Sequence, residues 1–171
     1  DIAPVDTIAY VDSDARRDLW RRERDLDHAR AFAGRFNAVT TIRGLICRRL
    51  ADSLSPSDVA SRLTDLVGHL KLEPLMDKPV MAVSTGEMSR VMVACELMRN
   101  PGMLILDEPC QGLDIRNRER VLAMVAHIGS ATPTNLIFTT HHADERPPCM
   151  THELQLAKDG QCPIRRLSER D

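Results

Sequence analysis

Two carboxylates stand side by side where an apolar run ends. Met103 to Asp114 reads MLILDEPCQGLD, so Asp107 and Glu108 leave a stretch with the pattern of a buried strand. Ligands of an open parallel sheet bind at the carboxyl ends of its strands. One acid there can hold Mg2+ or its waters, and its neighbour can orient or deprotonate an attacking water. The pair could equally do no more than solvate a strand end. The stretch NLIFTTHH weighs against that, because it sets His141 and His142 at the end of a second apolar run. A histidine at that edge could reach a phosphate oxygen. Upstream, Ser84-Thr85-Gly86-Glu87 has the spacing of a capping box, the ordinary start of a helix. Gly86 would also let a ligand approach the backbone, and a helix amino terminus offers unpaired N–H groups and positive dipole to a phosphate.

These residues need elements to position them, and the apolar spacing supplies an alternating order. TIAYV reads as a strand, and DSD opens a long charged helix whose sparse apolar positions are Leu19, Trp20, Leu26, Ala29 and Phe32. Val39, Ile42, Ile46 and Leu50 fall at helical spacing in a second segment. A third helix opens at Ser55 with a cap residue, a proline and an acid in the first turn, and shows one apolar face of Val59, Leu63, Leu66, Val67 and Leu70. The helix after STGE carries Met88, Val91, Met92 and Cys95 as a buried stripe and stops at Asn100-Pro101-Gly102. Strand MLILD, a helix from Asp114 to about Ile128 and strand NLIFTT follow. Their lengths imply a parallel βαβ unit buried on both faces. HELQLA and PIRRL, around Asp159-Gly160, read as two further short strands.

Composition bounds the function class. At 171 residues and 43% hydrophobic content the chain can form one domain, or a large fragment of one, with a real core. A formal net charge of -2 argues against a general nucleic-acid surface, and no specific nucleic-acid partner is expected. The arginine-rich RRDLWRRER has acids interleaved and reads as a solvated helix face. Five scattered cysteines without a CxxC pair suit free thiols in a reducing cytosol. No apolar run reaches the roughly 18 to 20 residues that span a bilayer, and the amino terminus lacks a signal-peptide pattern. A metal-binding module built from His141, His142, Cys149 and His152 is the rival reading, on the ligand-like spacing of Cys149-Met150-Thr151-His152.

The order of these pieces resembles the ABC-type ATPases, closely so from about Pro79 to Gly160. VSTGE at Val83 to Glu87 is similar to the family signature, LILDEP to its Walker B strand, QGLD at Gln111 to Asp114 to its D-loop, and Thr140-His141 to its switch histidine. STGEMSR and HHADERPPCMTHEL further resemble the ModF-like proteins of the molybdate-transport group. The resemblance implies an α/β, P-loop NTPase-like fold: a partial ABC ATPase domain with a parallel sheet core. About 14–100 would form the helical subdomain and signature helix, and 101–171 the part with Walker B, D-loop and switch histidine. It implies ATP and Mg2+ as ligands, with Asp107 holding the metal through water. Glu108 would be general base, and His141 would touch the γ-phosphate. Ser84, Thr85, Gly86 and Glu87 would meet ATP bound by a second ABC ATPase domain in a homo- or pseudo-dimer, and Asp114 would couple the two sites. A membrane permease would be the further partner, with the chain cytoplasmic and peripheral at the inner face of the cell membrane.

Departures from the family pattern are equally plain. No G-x-x-x-x-G-K-S/T occurs in the 171 residues, so the amino-terminal part of the domain is expected to be missing and the chain alone to be non-catalytic. The glutamines are Gln111, Gln155 and Gln161, leaving none near Val11 for the Q-loop. Thr85 replaces the first glycine of the commoner signature, and Glu87 replaces its glutamine, adding a negative charge near a phosphate site.

Overall fold

The computed structural model describes residues 8–34, 39–48, 55–156 and 162–167. β-branched and aliphatic runs make a three-stranded parallel sheet of β1 (Ile8–Val11), β2 (Met103–Asp107) and β3 (Asn135–Thr139), in that order. Val11 pairs with Leu106 and Asp107 with Thr139, so the carboxyl ends of the strands finish level with one another. Ala9, Val11, Leu104 and Leu106 point into the core. The alternate residues Ile8, Tyr10 and Ile137 are 61%, 50% and 43% exposed. The expectation of a sheet buried on both faces therefore fails. Strand residues alternate between the two faces, and among the described residues one face keeps large apolar side chains in the open.

Helix α1 (Ser13–Phe32) is capped by Asp12, which accepts from the Ala15 amide. Its length is supported by local ion pairs Asp14–Arg17, Asp18–Arg21 and Asp27–Arg30. Arg17, Arg21, Arg22 and Arg24 of the arginine cluster are exposed, but Arg16 is half-buried and Glu23 is buried against Arg48, so the expectation of a solvated face holds only in part. Leu19 and Trp20 pack on the core, whereas Phe32 is 98% exposed. Helix α2 (Ile42–Cys47) starts at a Thr41 cap, later than the periodicity suggests, leaving Val39 exposed, while Leu50 lies outside the described residues. Helix α3 (Pro56–Leu70) begins as expected, with Ser55 as cap and proline in the first turn, and ends at Lys71 in a left-handed conformation. Leu63, Val67 and Leu70 form its buried face.

Helix α4 (Thr85–Leu97) is more than a stripe. Besides Met88, Val91, Met92 and Cys95 it buries Ser89, Val93, Ala94 and Glu96, because it packs against α1, α2, α3, β1 and helix α5 (Ile115–Ala131). Asn100, with φ of 51°, turns the chain out of it. Strands β4 (His152–Leu154) and β5 (Ile164–Arg166) form a separate antiparallel pair, shorter than the runs that suggested them. Asp159-Gly160 lies outside the described residues.

Candidate functional site

The end of β2 faces hydroxyls from both neighbouring strands. Tyr10 on β1 donates its phenol to Asp107 Oδ2 at 2.6 Å, and Thr139 on β3 donates its hydroxyl to Asp107 Oδ1. These bonds, Thr139 first and then Tyr10, hold the Asp107 carboxyl below its ordinary value, while the carboxylate pushes the Tyr10 phenol up to about 12. Asp107 is therefore an ionised, oriented acceptor. Each oxygen keeps a lone pair, which fits a hard cation that retains its own waters, as Mg2+ does.

Glu108 leaves the strand in a left-handed conformation, φ 46°, rare for a residue with a side chain. Its amide holds that turn by donating to Thr139 O at 3.2 Å and Thr139 Oγ1 at 3.3 Å. The turn brings Glu108 Oε1 to 2.6 Å from His141 Nε2. The two residues singled out for water activation thus meet at the edge where β2 and β3 end.

The loop carrying His141 is anchored from below. Thr140 donates to Glu145 Oε2 at 2.6 Å and accepts from the His142 amide at 3.0 Å. Glu145 is 3% exposed, and its other oxygen lies 3.2 Å from Arg118 Nε on α5, an ion-pair contact without hydrogen-bond alignment. Arg118 Nη1 donates to Asp144 at 2.9 Å. His142 stays exposed.

Beside Glu108 a cleft is lined by Val11, Asp12, Arg16, Ser89 and Pro109. Arg16 Nη1 donates to Ser89 Oγ at 2.9 Å, and burial lowers the guanidinium pKa without removing its charge. A larger surface hollow between β4 and β5 holds only the Arg165–Glu153 pair and its neighbours. Cys110 is buried, and that burial pushes its thiol up to about 11.

Ser84-Thr85-Gly86-Glu87 forms the capping box expected of it: the Glu87 amide donates to Ser84 Oγ at 3.3 Å, and the Ser84 amide to Glu87 Oε2 at 2.8 Å. Burial pushes the Glu87 pKa up, but the Ser84 amide and the Lys78 ammonium, 3.1 Å away, outweigh it and hold the group lowered. The extra charge at Glu87 is thus paired with Lys78. Gly86 is buried, and the room a side chain would need there is taken by Asn117, whose Cγ and Cβ lie 2.6 and 2.7 Å from where a Cβ would stand. Asn117 in turn donates from its amide and side chain to Asp114, the cap of α5, and these bonds lower the Asp114 pKa. The STGE and QGLD stretches are thereby joined through Gly86 and Asn117.

The metal-module reading finds no support. Among the described residues no group of three or more His, Cys, Asp or Glu side chains could hold a metal ion. Cys149 Sγ faces the Val125 carbonyl and packs on Gly129, and His152 Nδ1 engages Thr151. No described helix is long and apolar enough to cross a membrane. Tyr10, Thr139 and Arg16 are site residues that sequence reasoning missed. Tyr10 and Thr139 were visible only as members of strands, and aligning those strands in parallel at their carboxyl ends would have found them.

A model of the ABC transporter family matches residues 6–111. The chain is 34% identical over 133 residues to the ABC transporter ATP-binding protein ModF of Escherichia coli K12, covering 73% of this chain and 27% of that protein. It is 31% identical over 132 residues to the cobalt import ATP-binding protein CbiO of Rhodobacter capsulatus, covering 76% and 46%. The solved structure of CbiO1 from Clostridium perfringens, part of the ABC transporter complex cbiONQ, superposes with a TM-score of 0.60 at 24% identity, over 67% of this chain and 46% of that one. That likeness establishes the fold. The chain spans 27% and 46% of the length of these two curated relatives.

Proposed function

The chain belongs to the ABC transporter family, and on that premise we propose that it is the part of an ATP-hydrolysing subunit that carries the water-activating acid and the dimer-facing signature. The observation that carries this reading is the Glu108–His141 contact of 2.6 Å beside the doubly hydrogen-bonded Asp107. Glu108 takes the proton of the attacking water, and His141 holds Glu108 in place and meets the γ-phosphate. Asp107 would hold Mg2+ through its waters, and the ion would supply charge neutralisation to the phosphate oxygens. Ser84, with Thr85 and Glu87 beside it, faces ATP held by a second ABC ATPase domain, Gly86 contributes no more than its backbone there because Asn117 fills the space beside it, and Asp114 couples the two sites. Closure on ATP passes as motion to a membrane permease, which would place the chain at the cytoplasmic face. Residues 14–100 act as the helical subdomain with the signature helix, and 101–171 as the core part. The ModF likeness makes molybdate or a related anion the cargo to test first.

On its own the chain is not proposed to turn over ATP, because its 171 residues contain no G-x-x-x-x-G-K-S/T to cradle the phosphates. The test joins the chain to a phosphate-binding half of an ABC domain, by fusion or as a second polypeptide, and measures phosphate release. Glu108→Gln should keep ATP binding and lower turnover by about 10²- to 10⁴-fold, the usual contribution of a general base. Turnover within a few-fold of the parent would remove Glu108 from that role.

A further inference from the structure

Away from the strand edge, two histidines from different helices meet. The rings of His69, in the last turn of α3, and His127, on α5, have centroids 5.2 Å apart and planes inclined by 43°. His69 is exposed, whereas His127 is half-buried and its Nε2 is sealed from solvent with no hydrogen-bond partner among the described residues. A sealed ring nitrogen without a partner is uncommon, since buried polar atoms are nearly always satisfied. The tilt matches neither the parallel nor the perpendicular arrangement that aromatic rings prefer. With metal–nitrogen bonds of about 2.0–2.1 Å and a tetrahedral angle, two imidazole centroids on one ion stand about 5 Å apart.

We propose that His69 and His127 form a two-histidine site for a divalent transition-metal ion of the Ni2+, Cu2+ or Zn2+ class, entered by movement of the exposed His69 ring, on whose side water completes the coordination. Imidazole nitrogen selects such ions over Mg2+ and Ca2+, which prefer oxygen. No third protein ligand stands by among the described residues, so the ion is exchangeable rather than structural. Its effect follows from where the two helices sit. Both α3 and α5 pack on α4, and an ion held between their histidines ties them together across it. The site is separate from Asp107, Glu108 and His141, and it stands whether or not those residues hydrolyse ATP.

The experiment titrates the untagged 171-residue chain with NiCl2 by calorimetry near pH 7.5. One ion should bind per chain with a dissociation constant on the order of micromolar, and Cu2+ should bind tighter than Ni2+. His69→Gln, an exposed change that should leave the circular dichroism spectrum unaltered, should weaken binding at least tenfold, and His127→Gln should do the same. His28→Ala and His142→Ala should leave it unchanged. Binding no tighter than millimolar, or an unchanged affinity in His69→Gln, would overturn the site and leave the pair a plain ring contact.

Discussion

Tyr10 is the one tyrosine of the chain, which makes its phenol an optical reporter on Asp107. Its ionisation, read as tyrosinate absorbance after a rapid pH jump, should have a midpoint of about 12 instead of 10.0. Asp107→Asn should bring it back toward the ordinary value. The sign of the linked stability follows. Because folding raises this pKa, the contribution of the Tyr10–Asp107 bond is complete below pH 10.0 and is lost as pH rises through about 12. Asp107 behaves oppositely. Its carboxyl is lowered, so its contribution is present above the ordinary carboxylate pKa and is lost as acid brings the pH through the folded value. A midpoint near 10 in the parent would mean that no such bond exists in solution. Asp107, Glu108 and His141 could be picked out from residue types at strand ends. Their hydroxyl partners could not, because hydrogen bonding between Tyr10, Asp107 and Thr139 depends on a register that separates them by 97 and 32 positions in the chain.

Four helix starts were readable because each is local chemistry: Asp12, Ser55, Ser84 and Asp114 all accept from an amide three residues on, whereas the Thr41 cap of α2 was missed. What packs against a helix was not. Gly86 reads as room for a ligand, yet Asn117 of α5 occupies the room. Gly86→Ala should therefore destabilise the chain by roughly 1–3 kcal/mol, as overpacking does, even though alanine favours helix over glycine by about 1 kcal/mol. Urea unfolding measures it. A cycle with Asn117→Gly should show coupling, since removing that side chain reopens the space. A neutral or stabilising Gly86→Ala would show that α4 and α5 do not approach so closely. Ser84→Ala, by contrast, should cost about 0.5–2 kcal/mol through the lost cap alone, with no dependence on Asn117.

The order of motifs along the chain carried the family, because spacing between a helix start, an acidic strand end and a histidine strand end survives changes elsewhere. It did not carry the state of the sheet, since alternation in strands this short does not say whether both faces are covered. Ile8, Tyr10 and Ile137 stand on the open face. The nucleotide follows the same reasoning. Hydrogen bonds to a charged group contribute about 1.5–3 kcal/mol each, and three or four missing together weaken binding by roughly a thousandfold or more. Calorimetry should find the 171-residue chain binding Mg-ATP no tighter than about millimolar, while a form joined to a phosphate-binding loop reaches the micromolar range. Micromolar binding by the chain alone would place the nucleotide elsewhere. The burial of α4 by α1, α2, α3, α5 and β1 has a last consequence, for amide hydrogen exchange. A helix enclosed by partners from so many parts of the chain cannot open until those partners leave, so its amides exchange only with global unfolding. Those of α1, with most of its surface in water, exchange first through local fraying.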